Sequence, residues 1–483
     1  MSKVEKPVAL FLYGAFRLYG GGLSKAWFQR LQAMHEAGWE VRIALVTYGR
    51  YRKKMLDRAL GGSIPNGIQI YQFWTSPMSK SQIALAWLRD MSYYVVMRIL
   101  RKPLKRNVIS PIGNGVQREL KYDTYGRLLS EIEREIDSNV VKSRVWFDTG
   151  RNPIIREWCL PGEEIMTMFQ RFSDPEPQTM IEARVEWLKN LDLPAGSVVF
   201  SDSPNTYPVV AQLPEKFGKV FVMHLNHLKR GEGALGTLTP RMEIGLEPFA
   251  DRPDAVVCAT PDQGEDLKER YGQKFPVFSI RPVVKKIETP VDTVRDRHKI
   301  VAVGRLVDVK RLDHVFRALP KVLAAVPQAY LEVWGSGSDL ERLEGIVSEL
   351  GVTDKVTFCG YTGNPEMVFR TAGCSVLTSR RESFGLAVTE SLLQGCPVVS
   401  YDVKYGPRTV IRDGVNGFIV ADNDEEGLAQ RIVDVISQPE LQDAMSIEAQ
   451  KVAQLVDYEH FTKAWLELAH DVRQQALARV TAR

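Results

Sequence analysis

Two glutamates spaced eight residues apart form the strongest chemical feature of the sequence. Glu382 and Glu390 enclose a loop in the segment RESFGLAVTE, and a helix is predicted to start near Leu386. Carboxylate oxygens accept hydrogen bonds from hydroxyl groups, and the free amides at a helix N-terminus suit a diphosphate. The segment therefore predicts a site for a ligand that carries both hydroxyl groups and a diphosphate. The alternative is that Glu390 is an ordinary acid on the helix surface. The loop residues are Ser383, Phe384, Gly385 and Leu386.

Two cations follow another predicted strand. Arg305 comes directly after Gly304, and Lys310 follows five residues later. Arginine binds a diphosphate through paired N–H groups, while lysine adds a point charge. The pair predicts a second part of the same anion site, and the alternative is a solvated strand end.

Further turns after predicted strands bring the backbone within reach of a ligand. Gly21 and Gly22 end a three-glycine run in the first βα turn, where a phosphate could bind. Gly335 and Gly337 permit close packing at a later turn, and the exposed backbone at Gly360 and Tyr361 could recognise a nucleobase edge. Each of these turns, taken alone, could be structural.

His224 ends the predicted strand KVFVMH, and His227 follows in the same loop. Either histidine could contact a substrate in a cleft. The spacing of the two also fits metal binding, but no carboxylate-rich set accompanies them, so no metal site is expected.

Strands alternate with helical segments on both sides of a central β-rich region. The pattern predicts an α/β fold of two facing Rossmann-like domains, with ligands bound at the carboxyl ends of the strands. Ser24 is a plausible N-cap of the first helix. The predicted strands are Val8 to Tyr13, Val41 to Thr47, Val198 to Ser201, Lys219 to Met223, Ala255 to Ala259, Ile300 to Val303, Tyr330 to Trp334, Val356 to Cys359, Ser375 to Leu377 and Pro397 to Tyr401.

Short runs broken by regular turn residues, from about Gln117 to Leu160, predict an antiparallel β-meander inserted in the first domain. We assign residues 1–290 to the N-terminal domain, with a β-rich insertion at 65–165. Residues 298–457 form the second domain, and a helix at 458–483 is expected to pack back on the first.

The 483 residues include 44% hydrophobic and 25% charged residues, which is typical of a soluble globular protein. The five cysteines fit neither a disulfide framework nor a zinc site, and no membrane span is expected. Together these features favour the cytoplasm. The net charge of +4 does not indicate nucleic acid, but the basic stretch from Arg101 to Arg106 could contact an anionic surface or polymer.

The order of these motifs resembles the retaining glycosyltransferases of family four, which have the GT-B fold. The family's pair of glutamates matches Glu382 and Glu390, and its phosphate-binding pair matches Arg305 and Lys310. The glycine loop of the family matches Gly21 and Gly22, and its histidine matches His224 better than His227. The resemblance implies that Glu382 binds the sugar of a UDP-sugar donor and that Glu390 binds the ribose, without a metal or other cofactor.

A narrower resemblance concerns bacterial poly(glycerol-phosphate) and poly(ribitol-phosphate) α-glycosyltransferases of wall teichoic acid. It rests on GGLSKA, HLNH, DVKYGPRTVIRDGVNGFIV and the β-meander. The glycosyltransferase that starts O-GlcNAc transfer onto serine-rich adhesins has a similar insertion. The resemblance implies a polyanionic polymer or a protein as acceptor, a homo-oligomer, and work at the inner face of the membrane. A non-catalytic subunit built on the same fold is the alternative from another class.

Overall fold

The computed structural model describes most of the chain, and the structural statements below concern that part. The described residues are 6–13, 22–46, 64–73, 108–122, 128–138, 140–147, 153–158, 168–171, 176–229, 233–284 and 294–482.

The described chain opens with the predicted β–α–β unit. Its two strands are largely apolar, pair in parallel and are buried by the surrounding helices, and a third, partly exposed strand extends the sheet. The helix already begins at Gly22, so Ser24 lies inside its first turn and the N-cap prediction was wrong. The elements are β1 (Val8–Tyr13), α1 (Gly22–Glu36), β2 (Glu40–Leu45) and β3 (Gln69–Gln72).

A seven-stranded antiparallel sheet follows and confirms the predicted meander. Each strand pairs with its sequence neighbour. Its limits differ from the 65–165 of the predicted insertion, because β3 belongs to the preceding parallel sheet and two more strands follow residue 165. The strands are β4 (Val108–Gly113), β5 (Val116–Tyr122), β6 (Leu128–Glu135), β7 (Val141–Phe147), β8 (Pro153–Trp158), β9 (Met168–Arg171) and β10 (Gln178–Thr179).

The α/β pattern then resumes and completes the first parallel sheet. The sheet order is β14-β13-β12-β11-β1-β2-β3. Helix α2 begins with a capping box between Thr179 and Glu182, which satisfies two free amides. The elements are α2 (Met180–Lys189), β11 (Val198–Ser201), α3 (Tyr207–Ala211), β12 (Gly218–Val222), α4 (Pro240–Gly245), β13 (Ala255–Cys258), α5 (Pro261–Tyr271) and β14 (Val277–Ser279).

A second parallel sheet of six strands has the order β17-β16-β15-β18-β19-β20. The order reverses direction between β15 and β18, and the cleft of such sheets opens at the carboxyl ends of these two strands. The elements are β15 (Asp296–Val303), α6 (Leu312–Ala325), β16 (Tyr330–Trp334), α7 (Leu340–Glu349), β17 (Val356–Gly360), α8 (Pro365–Thr371), β18 (Ala372–Leu377), α9 (Leu386–Leu393), β19 (Val398–Tyr401), α10 (Pro407–Val410), β20 (Gly417–Val420), α11 (Glu425–Ser437) and α12 (Pro439–Gln450).

The last helix, α13 (Tyr458–Thr481), packs on the first parallel sheet rather than on the second. Trp465, Leu468 and Val472 share an apolar cluster with Phe11 and Phe200 of that sheet. Two parallel sheets flanked by helices, with an antiparallel meander in the first half, confirm the predicted fold class. Within the described ranges, no helix is both long and apolar enough to cross a membrane.

Candidate functional site

The loop between β18 and α9 carries Glu382 and is held at several points. The buried guanidinium of Arg311 donates to the carbonyl oxygens of Thr378 and Ser379, at 2.8 and 2.9 Å. Phe384 anchors the loop in an apolar cluster. Gly385 precedes α9 with φ +79°, and no described side chain caps the helix. The first amides of α9 are therefore left for a ligand.

Lys310 and Glu382 meet at this loop, although 72 residues separate them in sequence. The Nζ atom of Lys310 lies 2.6 Å from Oε1 of Glu382, and both side chains are largely buried. Arg305 differs, because it is exposed and forms no ion pair with another described residue. The predicted cations thus divide into one that orients a carboxylate and one that is open to an incoming anion.

The glycine turns allow the ends of three neighbouring strands to lie close together. A Cβ atom on Gly335 would lie 1.7 Å from the carbonyl oxygen of Gly304, and one on Gly337 would lie 1.9 Å from that of Leu306. The amide of Gly335 donates to the carbonyl of Gly360 at 2.7 Å. These contacts fix the turn that carries Arg305 against the next two turns.

The remaining predicted donor-site residues lie around this edge. Tyr361 follows Gly360 and is 66% exposed, while Glu390 lies one turn into α9 and is half-buried. Gly22 is the first residue of α1, and Gly21 lies outside the described residues. The ligand roles of these residues stay predictions.

His224 reaches the Glu382 loop from the other domain. It follows β12, and its carbonyl oxygen accepts a hydrogen bond from Ser383 Oγ at 2.7 Å. Its Nε2 atom lies 2.6 Å from Oδ1 of Asp202. Burial favours the neutral acid of Asp202, but the charge of Arg30 and the hydrogen bond from His224 outweigh it and lower the pKa of this carboxyl.

His227 lies in the interior instead. Its ring stacks parallel to that of Tyr405, with centroids 5.7 Å apart, and none of the side chain is exposed. Burial lowers the pKa of His227 to about 4, so the imidazole is neutral at neutral pH. The two predicted histidines thus have different environments, and His224 is the one that meets the loop of Glu382. In the described part of the chain no group of three metal-ligating side chains forms.

A short segment after β19 ties the domains together. Lys404 Nζ and Tyr405 Oη both donate to Oδ2 of Asp266 in α5, each at 2.7 Å. The carbonyl of Lys404 accepts from Asn226 Nδ2 at 3.0 Å and from the amide of Glu382 at 3.1 Å. The same carbonyl therefore links the histidine loop to the glutamate loop.

Sequence reasoning missed Asp202, Asp266 and Arg311. Asp202 directly follows the strand VVFS, and this position at a strand end was a usable signal. The sequence contains no comparable signal for Asp266 or Arg311, because their partners are distant in the chain.

Comparison with known proteins supports the interpretation of this edge. Residues 285–452, which include Arg305, Lys310 and both glutamates, match the family model "Glycosyl transferases group 1". Residues 285–452 form a group 1 glycosyltransferase domain.

Sequence relatives of this chain include the poly(glycerol-phosphate) alpha-glucosyltransferase of Bacillus subtilis (strain 168). It is 32% identical over 214 residues, which are 44% of this chain and 32% of the relative. The chain thus spans about a third of the length of this relative.

Two solved structures share the fold over nearly the whole length of the chain. One is a mutant of S. aureus TarM in complex with Fondaparinux, alpha-GlcNAc-glycerol and UDP, with a TM-score of 0.73, 17% identity and coverage of 96% of this chain and 99% of that one. The other is the pneumococcal O-GlcNAc transferase GtfA in complex with UDP and GlcNAc, with a TM-score of 0.70, 15% identity and coverage of 97% and 99%. These likenesses confirm the predicted GT-B fold.

Proposed function

We propose that this chain transfers a hexose or N-acetylhexosamine from a UDP-sugar to a hydroxyl of a polyol-phosphate polymer, with retention of configuration. One observation carries the proposal. Lys310 and Glu382 form an ion pair beside the uncapped start of α9, and Ser383 joins this loop to His224 of the other domain. The arrangement offers a carboxylate, amides and a histidine to one ligand in a cleft.

Each side chain has a role in this proposal. Arg305 and Lys310 stabilise the negative charge that develops on the departing diphosphate, which is electrostatic catalysis. Glu382 accepts hydrogen bonds from hydroxyls of the transferred sugar, and Glu390 accepts them from the ribose. His224 contacts the sugar near the reacting carbon.

In the proposed reaction the configuration at the anomeric carbon is retained, and no side chain of the protein acts as the nucleophile. The acceptor hydroxyl attacks the anomeric carbon from the face that the diphosphate leaves. The bond from that carbon to the phosphate oxygen breaks, and the phosphate oxygen takes the hydroxyl proton. We propose that this needs no metal or organic cofactor, because two cations offset the diphosphate charge and the UDP-sugar is a co-substrate.

A donor screen with the purified chain tests this proposal. UDP-glucose, UDP-N-acetylglucosamine and UDP-galactose are offered with a glycerol-phosphate polymer, and UDP release and product mass are measured. The anomeric configuration of the product is read by NMR. We expect transfer from one UDP-sugar with an α-linked product. Transfer of the opposite anomer, or no turnover of any donor with any acceptor, contradicts the proposal.

Variants separate the site from the fold. Glu382→Ala, Glu390→Ala and Lys310→Ala are each expected to lower turnover severely. The matched control is the surface ion pair of Lys451 and the half-buried Glu448, 2.5 Å apart, replaced as Lys451→Met and Glu448→Gln. Unchanged turnover in all three site variants refutes the assignment.

The second candidate acceptor is a serine- or threonine-rich protein, as the likeness to GtfA suggests. Salt distinguishes the two, because charge attraction to a polyanion is screened by ions. With a polyol-phosphate acceptor, the acceptor KM rises steeply with NaCl, and Arg101→Gln with Lys105→Gln reduces the slope. A neutral peptide acceptor predicts little effect of either change. Arg101 and Lys105 lie outside the described residues.

A non-catalytic subunit is the alternative from another class. Such a protein would bind the donor without consuming it, so release of UDP in the absence of acceptor separates the two. We further propose that the protein works in the cytoplasm at the inner face of the membrane, as a homo-oligomer. Sedimentation of the full chain, alone and with anionic vesicles, tests both points.

A further inference from the structure

A buried arginine lies beneath His224. The side chain of Arg30 in α1 is 1% exposed. Its guanidinium carbon lies 5.1 Å from the ring centroids of Phe11 and Phe200 and 4.5 Å from that of Trp465 in α13. A charge in such an apolar cage is strongly unfavourable unless an anion is paired with it. The guanidinium of Arg30 therefore needs an anionic partner within the fold.

Asp202 provides the anion and shares it with the histidine. Its Oδ2 atom pairs with Arg30, from 172 residues away, and its Oδ1 atom lies 2.6 Å from His224 Nε2. The side chain of Asp202 is 3% exposed, so water does not compete for these oxygens. As described above, Arg30 and His224 lower the pKa of Asp202, and the carboxylate is ionised at neutral pH.

An ionised carboxylate can only accept hydrogen bonds. The short contact to His224 therefore requires a proton on Nε2. In a neutral imidazole the other nitrogen, Nδ1, then has a free lone pair. His224 is 18% exposed, whereas both of its supporting partners are almost fully buried.

We propose that Arg30 and Asp202 are positioning residues that hold His224 in the Nε2–H tautomer, so that Nδ1 accepts a hydrogen bond from a hydroxyl of the sugar or the acceptor. The role of the hydroxyl rests on the proposed function, whereas the tautomer does not. Arg30 keeps Asp202 charged, and Asp202 sets which nitrogen of His224 carries the proton. Trp465 extends this support to the C-terminal helix, because its ring covers the guanidinium.

A purely structural ion pair would behave differently. If Arg30 and Asp202 only stabilised the fold, removing both charges together would change the thermal midpoint and leave the histidine unaffected. The double variant Arg30→Met/Asp202→Asn leaves no unpaired buried charge, so it is the fair comparison. Lys219→Met is the matched control: Lys219 is 2% exposed, lies near the start of β12, and pairs with Glu215 at the opposite end of the strand from His224.

The experiment reads the tautomer directly. The full chain is labelled with 15N-histidine, long-range 1H–15N correlations are recorded at neutral pH, and the His224 signals are assigned with His224→Gln. We expect the Nε2–H pattern in the unmodified chain and in Lys219→Met, and a mixed pattern in the double variant. In parallel, kcat for transfer falls about tenfold in the double variant with the donor KM nearly unchanged, as expected when one hydrogen bond of the transition state is lost.

An Nδ1–H or doubly protonated His224 in the unmodified chain overturns the proposal, and so does an Nε2–H pattern that survives in the double variant. Both results are independent of turnover. If the tautomer is as expected but the unmodified chain consumes no donor, the proposed function fails and the positioning of His224 stands.

Discussion

The Nζ atom of Lys310 lies 2.6 Å from Oε1 of Glu382, which connects the turn after β15 to the loop before α9. The two groups come from neighbouring strands of one parallel sheet, whose carboxyl ends meet at the same edge. In the proposed function, the donor meets a carboxylate whose position is already set by a cation. The two residues should therefore act as one unit in catalysis.

If Lys310 and Glu382 act as one unit, the losses of activity caused by substituting them should not be additive. Lys310→Met and Glu382→Gln should each lower kcat/KM for transfer by about a hundredfold or more, because in the proposed function each removes a charge from the reacting centre. The double variant should be little worse than either single variant. Steady-state kinetics of the three variants provide the measurement. Losses that multiply would show that the two side chains act independently.

Because Gly335 packs closely against Gly304, a substitution at Gly335 should disturb the turn that carries Arg305. Gly335→Ala would place a Cβ atom 1.7 Å from the carbonyl oxygen of Gly304, at a φ of +152°. We expect a loss of about 1–3 kcal/mol in stability, together with weaker binding of UDP, since the Arg305 turn must move. Calorimetry with UDP and thermal unfolding measure both effects.

Gly363→Ala is the control for this substitution, because nothing lies within 4 Å of its added Cβ. If Gly335→Ala lowers the thermal midpoint but leaves the affinity for UDP unaltered, this turn does not contribute to the donor site.

His227 predicts how stability depends on pH. The pKa of His227 falls from 6.5 to about 4 on folding because the ring is buried. Between these values the unfolded chain binds a proton that the folded chain does not. The contribution of His227 to stability therefore decreases as pH falls from about 6.5 towards 4, by about 3 kcal/mol in total, and this contribution is constant above that range.

His227→Phe keeps an aromatic ring against Tyr405 and removes the titrating group. The thermal midpoint of this variant should fall less steeply between pH 6.5 and 4 than that of the unmodified chain. His460→Asn, at a histidine whose side chain is 85% exposed, is the comparison. Parallel pH profiles for the unmodified chain and His227→Phe would disprove the assignment.

The contact that Asp266 makes between the two domains should help to protect a bound donor from hydrolysis by water. Asp266→Ala removes the acceptor shared by Lys404 and Tyr405. Because contact between the two domains would exclude water from a bound donor, we expect hydrolysis of the UDP-sugar to rise relative to transfer by severalfold. The ratio of free sugar to product is measured by mass spectrometry. Glu265→Gln, at an exposed neighbour in α5, should keep the original ratio.

Much of the fold follows from local patterns. Buried strands such as VALFLY and YLEVW are short apolar runs between turn residues, so their positions were predictable to within a few residues. Strands such as β3 and β20 were not predicted, because QIYQ is half polar and GFIV lies between the turn residues of DGVN and ADND. The polar residue Ser24 predicts the start of α1 two residues too late, since the helix begins at Gly22.

The candidate site likewise has one part that the sequence predicts and another that only the folded structure shows. Glu382, Arg305 and Lys310 were recognisable because their type and their place after strands are local properties of the chain. The pairing of Lys310 with Glu382, the choice of His224 over His227 for the glutamate loop, and the support from Asp202 and Arg30 depend on which strands become neighbours. Contacts across 72 or 172 residues arise from sheet order and helix packing. Local spacing encodes neither, so these relationships required the folded molecule.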